Sequence, residues 1–301
     1  MRRSRGSTGS VCQRDRKNVV TPAGRSSVLR VAPTDTRPDR LDEQSARLDA
    51  ILRDIGSVVV AFSGGADSAF LAHRAHRVLG PERARAVTAV SPSLAGDEET
   101  DCRTLADEWG LRWSAVTTDE MARAAYRAND TDRCYHCKAE LMDMVGPIAA
   151  VADATVVLGV NVDDLGDHRP GQAAALERGA RFPLVEAGFT KADVREASRR
   201  AGLRTWDKPA AACLASRIPY GTAVTLTTLD RVDRAEAALR RLGFRQLRVR
   251  HYGDTARIEL DLDDLATAVA QREAIVAAVR LAGYKYVTLD LEGFRSGNLN
   301  G

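Results

Sequence analysis

Cys134 and Cys137 stand two residues apart in DRCYHCK (132–138), and a third thiol, Cys213, lies in WDKPAAACLASRIPYGT (206–222). With Cys12 and Cys102 the chain has five cysteines in 301 residues, too few and too scattered for a disulfide framework. In a reducing compartment such thiols more often bind metal or do chemistry. Three thiolates can hold three irons of a [4Fe-4S] cluster and leave the fourth iron open. They can instead hold zinc with a histidine, although His136, lying between the pair, is badly placed to reach the same ion from a short loop. A thioredoxin-like redox pair is the third use, but that motif does not come with the glycine loop described next.

VVVAFSGGADS (58–68) puts Gly64 and Gly65 between an apolar run and a helical pattern. Glycines let the backbone approach an anion closely, and the free N–H groups of a helix start then face it. Ser63 and Ser68 add hydroxyl donors. Asp67 cannot favour a phosphate directly, but it can hold the Mg2+ that neutralises one. The lysine of the common G-x-x-x-x-G-K-[ST] loop is missing. A second polar loop, VLGVNVDDLGDHRPG (157–171), crowds Asn161, Asp163, Asp164, Asp167 and Arg169 together. Its carboxylates suit Mg2+ or a ribose, and Arg169 suits a phosphate.

The elements that must position these residues alternate. Leu41, Leu48, Ile51, Leu52 and Ile55 recur at helical spacing. Strands are expected at 57–62, 84–90, 112–118 and 154–160, with helices between them, including 119–128 and 135–150. That alternation predicts an α/β fold: a parallel sheet with helices on both faces. Beyond about residue 205 the pattern changes. A helix over 229–244, strands at 246–252 and 255–261 joined at Gly253-Asp254, one long helix over 265–283 and a strand at 286–292 predict a small α+β domain. The expected division is therefore a leader over 1–40, a nucleotide domain over 41–205 and a C-terminal substrate or oligomerisation domain over 206–301.

Hydrophobic residues make up 44% and charged residues 28%, ordinary for a globular protein. No apolar run is long enough to span a bilayer and no secretory signal is visible, so a cytoplasmic location is expected. Residues 1–40 carry a net +7 and the remainder −4. Such a leader, rich in Arg, Ser, Thr and Gly, cannot fold alone and is expected to be disordered. The acidic body argues against a large nucleic-acid face.

SGGADS resembles the S-G-G-x-D-S signature of the PP-loop ATP pyrophosphatases, which cleave ATP between its α and β phosphates. Taken in order, SGGADS, DRCYHCK, NVDDLGDHRPG, WDKPAAACLASRIPYGT, RVRHYGDTARIE and LDLEGFRSGNLN resemble the LarE family from about residue 41 to the end. The resemblance implies an ATP-dependent sulfur transferase of nickel-pincer cofactor biosynthesis. Its substrate would be pyridinium-3,5-biscarboxylic acid mononucleotide: ATP adenylates a ring carboxylate, and a protein-held sulfur displaces AMP to leave a thiocarboxylate. Members either sacrifice the sulfur of the cysteine matching Cys213 or hold a [4Fe-4S] cluster on cysteines matching Cys134, Cys137 and Cys213. With all three present, the cluster route is expected here, as is a homo-oligomer.

Further residues carry expected roles. Arg248 and Arg250 alternate on one strand face and can point at one substrate anion. Ser216 and Arg217, beside Cys213, can orient the substrate. Glu236 is expected as a general base or as a structural partner of Arg248, and Trp113 as core. Two rivals remain at this level: a PP-loop tRNA thiolase, which needs a basic RNA track that the body lacks, and a non-catalytic adenine-nucleotide sensor.

Overall fold

The computed structural model describes residues 39–166, 170–209 and 212–295. Arg169 and all but the last two residues of the basic leader lie outside that range. Helix Arg40–Ile55 begins at Asp39, whose carboxylate accepts from the Asp42 N–H at 2.9 Å, and its buried face carries Leu41, Leu48 and Leu52. No helix among the described residues is long and apolar enough to cross a membrane.

The first sheet comprises β1 (Val58–Ala61), β2 (Ala84–Val90), β3 (Arg112–Thr117) and β4 (Thr155–Leu158). All neighbours are parallel, in the order β3-β2-β1-β4. Val58, Val59 and Val60 are all buried because both faces are covered, which is why this strand reads as an unbroken apolar run. Val58 and Val60 share one core with Leu48, Leu52, Phe70 and Leu71 of helices Arg40–Ile55 and Ala66–Leu79. Val59 packs in a second core with Met142 and Val145 of helix Arg133–Val151. From β1 the chain builds β2 and β3 on one side, then returns to place β4 on the other. The loops after β1 and β4 therefore diverge at the carboxyl ends of neighbouring strands, where open α/β sheets bind ligands.

A second sheet holds β5 (Leu247–Tyr252), β6 (Thr255–Leu260) and β7 (Tyr286–Leu289), in that order. β5 and β6 are antiparallel and β6 and β7 parallel. Gly253, at φ 60, takes the first position of the two-residue turn, which a type II′ hairpin reserves for glycine. Helix Leu226–Arg241 contributes Ala235 and Leu239 to this sheet's own core, alongside Val249, Ile258 and Val279. The single helix expected over 265–283 is two, Leu265–Ala270 and Arg272–Leu281, meeting at Gln271. Neither glycine nor proline marks the break. It is one residue wide: the Gln271 N–H still donates to Thr267 O at 2.9 Å, and Gln271 O accepts from the Ile275 N–H at 3.1 Å. Residues 119–128 likewise form a 3-10 turn, Glu120–Ala122, followed by the short helix Ala124–Ala128.

A third kind of core joins the two sheets. Tyr126, Leu214, Ala215, Ile218, Val224, Leu229 and Val232 form one buried cluster. The segment around Cys213 thus packs on the helices of the first sheet before the chain enters helix Leu226–Arg241. Leu214 N donates to Ser93 O and Val224 N to Arg127 O, both at 2.9 Å.

Candidate active site

The glycine loop follows β1. Gly64 is buried at φ 68, a left-handed conformation that costs other residues about 1–2 kcal/mol, and a Cβ there would stand 2.9 Å from Cys102 Sγ. Ser68 Oγ turns back to accept from the Ser63 N–H at 3.2 Å and lies 3.0 Å from Ser63 Oγ, closing the loop on itself. Helix Ala66–Leu79 starts at Gly65 with no side-chain cap. Its first N–H groups are therefore left for a ligand, in the geometry that binds phosphate.

The loop after β4 is pressed against this helix start. A Cβ on Gly159 would lie 2.6 Å from Ser68 N and 2.8 Å from the Asp67 carbonyl carbon, so only glycine permits the approach. Asn161 is fully buried, and its amide donates to Asp67 Oδ1 at 3.2 Å. Its own N–H donates to Asp164 Oδ2 at 3.1 Å. Lys191 Nζ reaches Asp67 Oδ2 at 3.1 Å, and the Lys191 N–H donates to Asp163 Oδ2 at 2.8 Å. Ser63, Gly64, Gly65, Asp67, Ser68, Asn161 and Asp164 thus converge on one rim. Each oxygen of Asp67 accepts from one donor, so Mg2+ meeting this carboxylate would share it with the Asn161 amide and the Lys191 ammonium.

Lys191 carries no signal in the motifs above. It opens helix Lys191–Arg200 behind the capping box of Thr190 and Asp193, and that box is the sign that could have placed it at a helix start beside the sheet. Lys208 is a second cation that sequence reasoning passed over. Its Nζ lies 2.8 Å from Glu98 and 2.7 Å from Asp101, and 3.7 Å from where a Gly64 Cβ would stand.

The cysteines occupy the neighbouring stretch of the same edge. Cys134 is exposed at the start of helix Arg133–Val151, while Cys137 and Cys213 are partly buried and pack against the same Tyr126 cluster. Burial first, and then the nearby Cys213, push the Cys137 thiol up to about 12. Arg133 is 4% exposed. Its guanidinium donates to Asn129 Oδ1 at 2.6 Å and Ala215 O at 2.8 Å, approaches Cys134 Sγ at 4.0 Å and lies 5.5 Å over the Tyr220 ring. Burial disfavours its charge, yet the nearby Cys213 and then Cys134 hold its pKa above that of a free guanidinium. Asn129, buried at φ 60, donates in turn to the carbonyls of Ile218 (3.3 Å), Pro219 (2.8 Å) and Thr222 (2.8 Å). Among the described residues, no three His, Cys, Asp or Glu side chains are arranged to hold one metal ion. The thiol-bearing segments meet around one buried cation: Cys137 and Cys213 pack on the same apolar cluster, and Arg133 touches Cys134 and the carbonyl two residues after Cys213.

The remaining expected residues divide by their partners. Arg217 uses its fork on Glu236, at 2.8 and 3.0 Å, and a further nitrogen on Ala212 O, Cys213 O and Ser216 Oγ. It clamps the backbone of the Cys213 segment. Glu236, fully buried, also accepts from Arg240 at 3.1 Å and the Val249 N–H at 3.0 Å. In this arrangement it is the structural partner of Arg217 rather than of Arg248. Arg250 pairs with Glu259 at 2.8 Å and donates to Ser216 O at 2.9 Å. Arg248 stands opposite Glu259 across the strands and feels both Glu259 and Glu236, but among the described residues it is hydrogen-bonded to neither. It lies 4.6 Å over the Phe294 ring, and burial first, then Arg217 and Arg250, bring its pKa down to about 10. Trp113 packs against the main core, its indole N–H on Thr88 Oγ1 at 2.8 Å.

A glycine loop aiming helix N–H groups at an anion, on the switch-point edge of a parallel sheet, defines an ATP-using α/β protein of the PP-loop kind, and residues 48–142 match the NAD synthase family. Over 261 residues, 86% of this chain and 95% of the relative, it is 38% identical to pyridinium-3,5-bisthiocarboxylic acid mononucleotide synthase of Lactiplantibacillus plantarum. The chain belongs to that family, LarE. It is also 45% identical to an uncharacterized protein of Synechocystis sp. over 263 residues (86% of this chain, 98% of that one), and 25% identical to one of Methanocaldococcus jannaschii over 240 residues (79% and 91%).

Proposed function

We propose that this chain is an ATP-dependent sulfur transferase that turns a carboxylate of pyridinium-3,5-biscarboxylic acid mononucleotide into a thiocarboxylate. The observation that carries the reading is the shared rim: the phosphate loop after β1 and the cysteine-bearing segments open on the same edge of one sheet, in a chain of this family. ATP enters with Mg2+ on its phosphates, and the N–H groups of residues 64–68 hold the phosphate charge. A substrate carboxylate oxygen attacks the α-phosphorus and pyrophosphate leaves with the P–O electron pair. Sulfur then attacks the acyl carbon and AMP leaves. A [4Fe-4S] cluster on Cys134, Cys137 and Cys213 would supply a replaceable sulfide for that attack. Arg217, fixed by Glu236, keeps the Cys213 backbone in place. Arg248, a buried guanidinium hydrogen-bonded to no carboxylate among the described residues, takes the substrate's anionic group, while Arg250 braces Ser216.

The test is anaerobic turnover with ATP, Mg2+ and the pyridinium substrate. Pyrophosphate and AMP should appear in equal amounts, and saturable ATP binding without pyrophosphate would instead make the protein a nucleotide sensor. Cys134→Ala should lose both the brown chromophore and repeated sulfur transfer. If it transfers as much sulfur as wild type while Cys213→Ala transfers none, Cys213 is itself the sulfur donor. Light scattering in solution checks the homo-oligomer.

A further inference from the structure

Four arginines are buried near the Cys213 segment: Arg217 pairs with Glu236, Arg250 pairs with Glu259, and Arg248 has those same two carboxylates acting on it. Arg133 is different. Among the described residues it meets no carboxylate; its partners are an amide oxygen, a backbone carbonyl, the Tyr220 ring and Cys134 Sγ. A guanidinium taken out of water without a counter-charge is strongly unfavourable unless an anion arrives to share the burial. The positions around it offer one kind of anion. Cys134 follows it in sequence, and Ala215, whose carbonyl it holds, lies two residues after Cys213.

We propose that Arg133 is the built-in counter-cation of the sulfur site, fixed by Asn129 and Ala215 so that its charge is presented to anionic sulfur at Cys134 and Cys213. The ligand class it selects is a thiolate, hydrosulfide or sulfide, not a neutral thiol. The same fork ties the Cys213 segment to the C-x-x-C helix, which makes Arg133 a positioning residue as well as a charge. This assignment deepens the sulfur-transfer reading and rests on it.

The experiment reads the local potential at Cys134 without any cofactor. Metal-free protein is alkylated with iodoacetate and, separately, with iodoacetamide, and modification of the Cys134 peptide is followed by mass spectrometry. The same thiolate attacks the methylene carbon of either reagent and displaces iodide, so the ratio of the iodoacetate rate to the iodoacetamide rate cancels the fraction ionised and leaves the effect of charge on an anionic reagent. The wild-type ratio should exceed that of glutathione by roughly fivefold, as one cation 4.0 Å from a solvated sulfur would give. It should fall towards the glutathione value in Arg133→Gln and be largely kept in Arg133→Lys. Loosened packing alone would speed both reagents together and leave the ratio unmoved. A wild-type ratio equal to that of glutathione overturns the proposal, and so does a ratio unchanged in Arg133→Gln. Should Arg133→Gln fail to fold, Lys138→Gln decides the matter: it removes the cation one turn further along the helix, a raised ratio kept there supports Arg133, and a ratio lost there overturns the assignment. Iron and labile-sulfide content after anaerobic reconstitution is read separately. A raised ratio with no bound iron leaves Arg133 as assigned and removes the cluster from the proposed function.

Discussion

At the scale of single residues, the nucleotide site depends on two close approaches that have opposite visibility in the sequence. Gly64 belongs to a recognisable loop, and its positive φ explains it. Gly159 opens the second polar loop, where no spacing gives it a role of its own, yet it lets the end of β4 press on the N–H groups at the start of helix Ala66–Leu79. Gly159→Ala would drive a methyl to 2.6 Å from Ser68 N, a backbone atom that no rotamer change can move. The helix start must shift. We expect a stability loss of about 1–3 kcal/mol, as for overpacking elsewhere, and ATP affinity reduced by an order of magnitude or more, since the displaced donors are the binding groups. Urea denaturation and calorimetric titration with ATP measure the two effects. A variant that loses stability but binds ATP normally would show that Gly159 serves packing alone.

Among the elements, helix Ala66–Leu79 joins the phosphate loop to the core, and its middle carries a titration signal. His73 lies edge-on to Trp109, ring centroids 5.6 Å apart. Burial, and then Arg77, His76 and Arg74, lower its pKa from 6.5 to about 4. Because the folded value is the lower one, the unfolded chain takes up a proton below pH 6.5 that the folded chain refuses. Stability therefore falls as pH drops from about 6.5 to about 4 and changes no further from this source. Between pH 7.5 and 5 the wild type should lose about 1 kcal/mol more than His73→Phe, after allowance for the partial exposure of the ring. Urea midpoints at the two pH values test it, and equal losses would place the low-pH weakness elsewhere. Strands and helices of this kind were legible in the sequence because periodicity and glycine punctuation are local properties, and the hairpin at Gly253 was legible for the same reason. What escaped is what only tertiary pairing decides. Lys191 meets Asp67 across 124 positions and Arg133 meets Ala215 across 82. The alternation of Arg248 and Arg250 placed both on one strand face, but nothing local could say that Glu259 claims one of them and not the other.

For the whole molecule, that last difference bears on the two binding functions proposed for the chain. The nucleotide loop sits on the first sheet, whereas Arg248 sits on the second, joined to the first through the Tyr126 cluster and the clamped Cys213 segment. A buried cation crowded by Arg217 and Arg250, with Glu259 and Glu236 near but hydrogen-bonded to other arginines, is a cost to the folded chain that an arriving anion would relieve. Arg248→Met, similar in length and without charge, should therefore leave the melting temperature unchanged or raise it, because desolvation and repulsion are both relieved. Affinity for the pyridinium mononucleotide should fall about 10- to 100-fold, the range expected for losing one charge-assisted contact. ATP binding, held by the N–H groups of the other sheet, should stay within twofold of wild type. Differential scanning fluorimetry and parallel titrations with the two nucleotides give all three quantities on one preparation. A lowered melting temperature with normal substrate affinity would make Arg248 a structural residue, and a parallel loss of both affinities would mean that the two sheets form a single site rather than two joined ones.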